Sequence, residues 1–415
     1  MPPESTRRLY RALSGRWTGW GRGEDVGAGR CNEWSPRPTW LRWSLSPHLR
    51  RRRMMSRIDD LLRTLVAEGG SDLHLSSGVP SMMRRAGDLE ELPGAEGAPG
   101  ADWLRDAIAE VMPEREGREF GERFSLDFAY AIPDLARFRV NAFLHHGGVG
   151  AAFRVIPNRV PEFAELGLPA AVKDFARLSR GLVLVTGPKG AGKSTTLAAL
   201  LQEMARSRAL HILTLEDPVE FVVPAGRSIV QQRQVGHSVG SIASGIREAL
   251  REDPDVLMIS DLRGAEIFES ALEAAEAGVL VLGALPTASA RKTITRVVAA
   301  FPREERVRIL GMMADSLRGV VGQILMNRAD GEGRVLGLEL MVVNDPISQL
   351  IREERIHQIP ALIQTGRKAG SRLLDQHIMD LLMAGVIRAE EAHRWARQKE
   401  VFSAYLESTS TASPG

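Results

Sequence analysis

Eight consecutive residues, Gly187-Pro188-Lys189-Gly190-Ala191-Gly192-Lys193-Ser194, follow the spacing G-x-x-x-x-G-K-S. Those residue types in that order suit one task, the holding of a row of phosphates. Glycines let the backbone curl until several N–H groups face one anion, and a helix beginning at once adds the positive end of its dipole. Lys193 is then placed to reach the β- and γ-phosphates, and the Ser194 hydroxyl to ligate Mg²⁺. The expected lining is Gly187, Pro188, Lys189, Gly190, Ala191, Gly192, Lys193, Ser194 and Thr195. The flanks agree. Gly181–Thr186 is a short apolar run of the kind that forms a buried strand, and Thr195–Leu201 is mostly made of residues a helix accepts, with no Gly or Pro. A glycine-rich turn before an ordinary helix would not need every one of these matches. The ligand implied is a nucleoside triphosphate.

Chemistry on a triphosphate also needs an acid for the metal and a group that orients water. Glu216 closes the apolar run His211–Leu215, and Asp261 follows the run Val256–Ser260. Both runs are expected to lie as strands beside the loop strand, which would bring both carboxylates to the crevice at the carboxyl edge of the sheet. Glu216 is then the candidate for orienting water, and Asp261, with Ser194, for holding Mg²⁺. Turn or capping roles are the alternative at both positions.

The elements that must position these groups are spread over 415 residues, enough for two or three domains. The single cysteine, Cys31, excludes a disulfide framework and a cysteine-based zinc site, which fits a reducing, cytoplasmic setting. The longest apolar run, near Gly278–Leu285, is too short to span a bilayer. The net charge of +2 conceals an asymmetry: residues 1–53 hold twelve Arg, no Lys and four acids, leaving 42 bases and 48 acids for the remainder. Trp17, Trp20, Trp34, Trp40 and Trp43 crowd into the same stretch without helical or strand period. Residues 1–54 read as translated sequence upstream of a true start at Met54 or Met55, with a disordered basic arm and a transit peptide as alternatives. A slightly acidic body argues against nucleic acid as substrate and so against a DNA or RNA translocase.

Beyond that stretch the pattern divides. Ile58, Leu61, Leu62, Leu65 and Val66 have helical spacing, Ser71–Leu75 alternates like a strand, and Phe124–Ile132, Arg137–His145 and Gly148–Ile156 read as three more strands. This predicts an α+β domain over 55–157. Strands at Leu182–Thr186, His211–Leu215, Val256–Ser260, Val279–Ala284 and Val335–Val343 alternate with helices at Thr195–Arg206, Ala265–Ala277, Ala290–Ala300 and Arg303–Met326. Such alternation predicts an α/β domain over 158–345 with a mainly parallel sheet. A small helical unit is expected over 346–404 and a disordered tail over 405–415.

In this order the segments resemble the PilT-type family of hexameric ATPases that power type IV pilus retraction (twitching motility), within the secretion ATPase superfamily. Ser71–Gly78, Ala136–Asn141, the loop at Gly187–Ser194, Leu213–Phe221, Ala249–Val256 and Ile351–Pro360 carry the resemblance, which covers about Met55 to Phe402. It implies a PAS-like N-terminal domain, a RecA-like P-loop NTPase domain, ATP and Mg²⁺ as ligands, a homo-hexamer, and a place on the cytoplasmic face of the inner membrane beside the platform protein of a pilus machine. It also implies that Arg139 and Arg154 reach the triphosphate bound by a neighbouring subunit, where guanidinium charge would stabilise the transition state. Three departures from the family stand out. Ser260-Asp261 replaces Gly-Glu, Pro286 replaces a histidine in Gly283–Thr287, and Lys189 sits where threonine is usual. Shortening the acid by one methylene is expected to spare binding more than turnover. The reading is therefore a retraction-type motor, with an ATP-binding accessory paralogue of weak turnover, working beside a true motor, as the alternative.

Overall fold

The computed structural model describes residues 56–410 apart from 86, 96, 157, 158 and 332. The N-terminal stretch 1–54, the start of the expected linker at 157–158 and residues 411–415 lie outside the described residues. The chain divides into two compact units after Ile156.

In the first unit, helix α1 (Asp59–Ala67) buries Leu62 and Leu65 one turn apart, with Ile58 at its start. Then come β1 (Asp72–Ser76), β2 (Val79–Arg85), β3 (Asp88–Glu91), α2 (Ala101–Val111), α3 (Glu114–Arg123), β4 (Ser125–Ile132), β5 (Ala136–His145) and β6 (Gly148–Ile156). The strands form one antiparallel sheet in the order β3-β2-β1-β6-β5-β4. Period-two alternation settles its faces: Ala136, Phe138, Val140 and Ala142 point into the core while Arg137, Arg139 and Asn141 take the opposite side. Phe138 and Phe153 are fully buried beneath them.

The second unit opens with the short helix α4 (Ala170–Asp174) and the strand β7 (Gly181–Thr186), followed by α5 (Lys193–Ser207) and β8 (His211–Glu216). Next are β9 (Ile229–Gln234), α6 (Ile242–Ala249), β10 (Val256–Ile259), α7 (Ala265–Glu276), β11 (Leu280–Leu285), α8 (Ala290–Ala299) and α9 (Arg306–Ser316). β12 (Leu317–Asn327) and β13 (Arg334–Val342) complete the sheet. Strand order is β13-β12-β7-β11-β10-β8-β9, with β12–β13 antiparallel and every other neighbour parallel. Both faces are covered, so its central strands are apolar throughout rather than alternating. Val183 and Val185 pack under Leu197, Leu200, Leu201 and Met204 of α5, while Leu182 and Leu184 join the core that α7, α8 and α9 close. Five helices finish the chain: α10 (Asp345–Arg352), α11 (Ile359–Thr365), α12 (Leu374–Met383), α13 (Ala389–Trp395) and α14 (Lys399–Ser410).

Three expectations need correction. The stretch Arg303–Met326 is not one helix: α9 ends at Ser316 and β12 begins at Leu317. A continuous apolar run does not distinguish a buried strand from a buried helix, and here pairing with β7 and β13 decides. The strands ending at Glu216 and near Asp261 do not flank the loop strand. β11, all six of whose residues are buried, takes the place between β7 and β10, and β8 lies beyond β10. Lastly, α14 runs through residues 405–410, where a disordered tail was expected.

Candidate nucleotide-binding site

The loop joins the carboxyl end of β7 to the start of α5. Two of its glycines are demanded by geometry. Gly187 has φ +151° and a Cβ there would stand 2.2 Å from the Gln323 carbonyl oxygen; Gly192 has φ +83° and caps α5. No side chain caps this helix. Its first N–H groups therefore lack both an intrahelical carbonyl and a capping oxygen, the arrangement that accepts an anion. The Gly187 N–H is committed to Leu285 O (3.2 Å) and the Ala191 N–H to Pro188 O (3.2 Å), so the turn is closed from both sides. Pro188, Lys189 and Gly190 are exposed at its tip, Ala191 is buried, and Ser194 and Thr195 are half-buried in the first turn of α5.

Lys193 arches back over the loop, its Nζ donating to the carbonyls of Gly187 and Pro188, each at 2.9 Å. Burial lowers its pKa; Asp261 and Glu220 oppose that, and the Arg263 cation reinforces it. Both carboxylates thus face the ammonium electrostatically, although Asp261 follows a strand two places from β7. Asp261 itself is claimed by Arg263, whose Nε donates to Oδ2 at 2.5 Å. That pairing raises the Arg263 pKa.

Glu216 is buried at the end of β8 and held rigidly. Its Oε1 accepts from Thr214 Oγ1 at 2.6 Å and from Gln232 Nε2 at 2.9 Å. Burial pushes its pKa up against those two hydrogen bonds, with Glu220 pushing the same way. A carboxylate whose charged form is disfavoured is the better proton acceptor near neutral pH. Pro286 stands exposed just after β11, and behind it Thr287 shares a buried 2.6 Å hydrogen bond with Thr293.

Arg139 and Arg154 belong to the first unit, opposite one another in the β5–β6 register. Arg154 Nε donates to Asp72 Oδ1 at 2.7 Å, and Arg139 pairs with Asp127 at 3.6 Å. Within its unit, then, the loop gathers Lys193, Asp261 and Glu220 electrostatically, while the two arginines lie on the other unit's sheet.

Sequence reasoning passed over Glu220, the Thr214–Gln232 cradle and Gln323. The last had a readable signal: a lone polar residue inside Val320–Met326. Among the described residues no group of three or more His, Cys, Asp or Glu could hold a metal. A groove of about 430 Å³ on α8, lined by Arg291, Lys292, Arg296 and His357, contains none of the residues above.

A doubly covered α/β sheet with a glycine-rich loop leading into a helix at its carboxyl edge is the architecture of the nucleotide-binding class of α/β proteins. Residues 121–405 match the family described as Type II/IV secretion system protein. The type IV pilus retraction ATPase PilT of Pseudomonas aeruginosa is 42% identical over 347 residues, covering 83% of this chain and 99% of that one. A twitching motility protein of Neisseria gonorrhoeae is 39% identical over 322 residues, 78% and 86% of the two chains. Among solved structures, the pilus retraction motor PilT with bound ADP superposes with a TM-score of 0.76 at 36% identity, over 83% of this chain and 98% of the other. The ATPase DotB of Legionella pneumophila does so at 0.71 and 25%, over 84% and 95%. This chain belongs to the Type II/IV secretion system protein family.

Proposed function

We propose that the protein is a motor ATPase of the pilus-retraction type, a homo-hexamer that hydrolyses ATP and acts on the platform protein of a type IV pilus machine. The observation that carries the reading is the loop itself: an uncapped helix start, two glycines in conformations only glycine favours, and Lys193 poised between the loop carbonyls and two carboxylates. Near full-length similarity to retraction ATPases supports the same reading. Gly187–Thr195 bind the triphosphate, and Lys193 moves from the loop carbonyls to its β- and γ-oxygens. Ser194 and Asp261 would hold Mg²⁺, which supplies charge neutralisation on the phosphates. Glu216, kept basic by burial and fixed by Thr214 and Gln232, orients water and accepts its proton. Arg139 and Arg154 of another copy supply positive charge as the transition state forms. The strand order of the first unit, with β1 between β2 and β6, supports the PAS-like reading of that unit. Among the described residues no helix is long and apolar enough to cross a membrane, so we assign any membrane association to the partner.

The accessory, weakly hydrolysing alternative rests on Asp261, short by one methylene and already ion-paired with Arg263. ATP binding and steady-state hydrolysis should be measured on the full chain, Lys193→Ala and Asp261→Glu. The motor reading expects turnover in the wild-type chain that Lys193→Ala abolishes. Firm binding with background turnover, raised about a hundredfold by Asp261→Glu, would replace it with the accessory reading.

A further inference from the structure

Gln323 lies near the middle of β12, 3% exposed within the run Gly319–Met326, whose other residues are all apolar or glycine. A buried amide is costly unless both its ends are bonded. Here both are, one to the phosphate loop and one to the first turn of α5 that follows it. Nε2 donates to the carbonyl of Ala191 at 2.6 Å, and Oε1 accepts from Thr196 Oγ1 at 3.0 Å. The orientation of the amide is forced, because the Ala191 carbonyl can only accept and so must face the NH₂. Thr196, fully interior to α5, is left to donate.

The same residue presses on the loop at two further points. Its carbonyl oxygen stands where a Cβ on Gly187 would fall, at 2.2 Å, and its Nε2 is 3.3 Å from where a Cβ on Gly192 would be. The first and last glycines of the G-x-x-x-x-G spacing therefore close on one side chain and its own peptide unit. Strand pairing fixes that unit, since Gly322 is in register with Thr186, the residue before the loop. Loop ends, loop interior and the first turn of the helix are thus tied to a strand that supplies no group to the phosphates.

We infer that Gln323 is a positioning residue of the nucleotide site, a two-ended strut that holds the phosphate loop in its anion-accepting curl. This rests on the reading of the loop as a nucleotide site and adds the residue that keeps it preformed. Asparagine is too short to reach both partners, glutamate sets a carboxylate against the Ala191 carbonyl, and methionine fills similar volume with neither bond. A preformed loop does not have to be ordered when phosphate arrives, so losing the strut weakens affinity.

The test is ADP affinity, read from a fluorescent ADP analogue on the full-length chain well below each variant's melting midpoint, together with steady-state ATP kinetics. Gln323→Met and Gln323→Glu should raise the Kd for ADP about tenfold, and Thr196→Val about threefold. The double variant Gln323→Met with Thr196→Val should bind no more weakly than Gln323→Met alone, because one strut is removed in both. KM for ATP should rise with the Kd while kcat changes less than about threefold. An ADP Kd within twofold of wild type in both Gln323→Met and Thr196→Val overturns the inference. So does a fall in kcat at unchanged KM, the signature of a smaller folded fraction. Should Gln323→Met fail to fold, Thr196→Val decides alone. Failure of the nucleotide reading looks different: the wild-type chain, or Lys193→Ala as firmly as wild type, would then ignore or retain ADP regardless of residue 323.

Discussion

With Asp261 proposed as a magnesium ligand, its ion pair with Arg263 bears on turnover. Arg263 is largely exposed, so the pair adds little to stability, under about 1 kcal/mol. Its chemical effect is larger, because the guanidinium occupies the carboxylate oxygen that a divalent cation would use. Arg263→Ala should lower the Mg²⁺ concentration for half-maximal ATPase activity about threefold or more, with the melting midpoint shifted by no more than a few degrees. A higher Mg²⁺ requirement would show instead that Arg263 orients the acid productively. Asp261 was readable as an acid after an apolar run, and its partner two residues on was not, since side-chain pairing depends on how the turn after β10 closes. Glu216 was readable for the same reason. Its cradle was not: Gln232 comes from β9, an edge strand of six residues whose polar sequence gives no strand signal.

At the scale of elements, β12 carries the lesson. Its sequence pattern continues the preceding helix through Met326, which leaves Gln323 no place beside the loop. Only pairing with β7 and β13, together with the closeness of Phe175 to Gly319 (2.2 Å from the position a Cβ would take), commits the segment to a strand. The terminal helices attach to the other side of β13. Glu339, 2% exposed on that strand, accepts from the Ala290 N–H at 2.7 Å and pairs with Arg397, whose Nη2 donates to the Ala288 carbonyl. His377 of α12 accepts the Leu338 N–H at Nδ1 (3.0 Å). That bond requires the neutral ring, and burial, reinforced by Arg372 and opposed by Asp380, lowers its pKa from 6.5 to about 4. A histidine with a depressed folded-state pKa destabilises as it is driven to protonate: the stability is present above pH 6.5 and lost as the pH falls toward 4. The loss should be about 2 kcal/mol after allowance for partial exposure. Melting curves of His377→Gln should show a flatter pH dependence over that window; an unchanged slope would remove His377 as the cause.

For the whole molecule, the proposed function makes the arginines of the first unit the link between copies. On the first unit's sheet Arg84, Asp72, Arg154 and Arg139 lie in one register row across four strands, so Asp72 sits between cations rather than neutralising one of them alone. Arg154→Ala should leave ADP affinity within about threefold and lower turnover by about 10³-fold, the scale of an arginine supplied to a transition state. Mixed with Lys193→Ala chains, it should regain activity, because an intact loop on one copy can be served by an intact arginine on another. Mixtures as inactive as their components would place the arginine's action within one chain, or nowhere in the reaction.

What the sequence determined unaided is local and periodic. The loop, its strand and its helix are contiguous, their spacing is imposed by backbone sterics and phosphate geometry, and eight residues suffice to state them. The strand over Arg137–His145 was likewise legible without reference to anything distant, and the burial of Phe138, Val140 and Ala142 opposite Arg137 and Arg139 follows from its period of two. Tertiary structure alone decided what crosses the chain. It set β11 rather than β10 beside β7, turned an apolar run into β12, and brought Gln323 against Ala191 and Thr196, more than a hundred residues away. Strand order follows from which apolar faces bury best together, a property of the whole core, and no single segment encodes it.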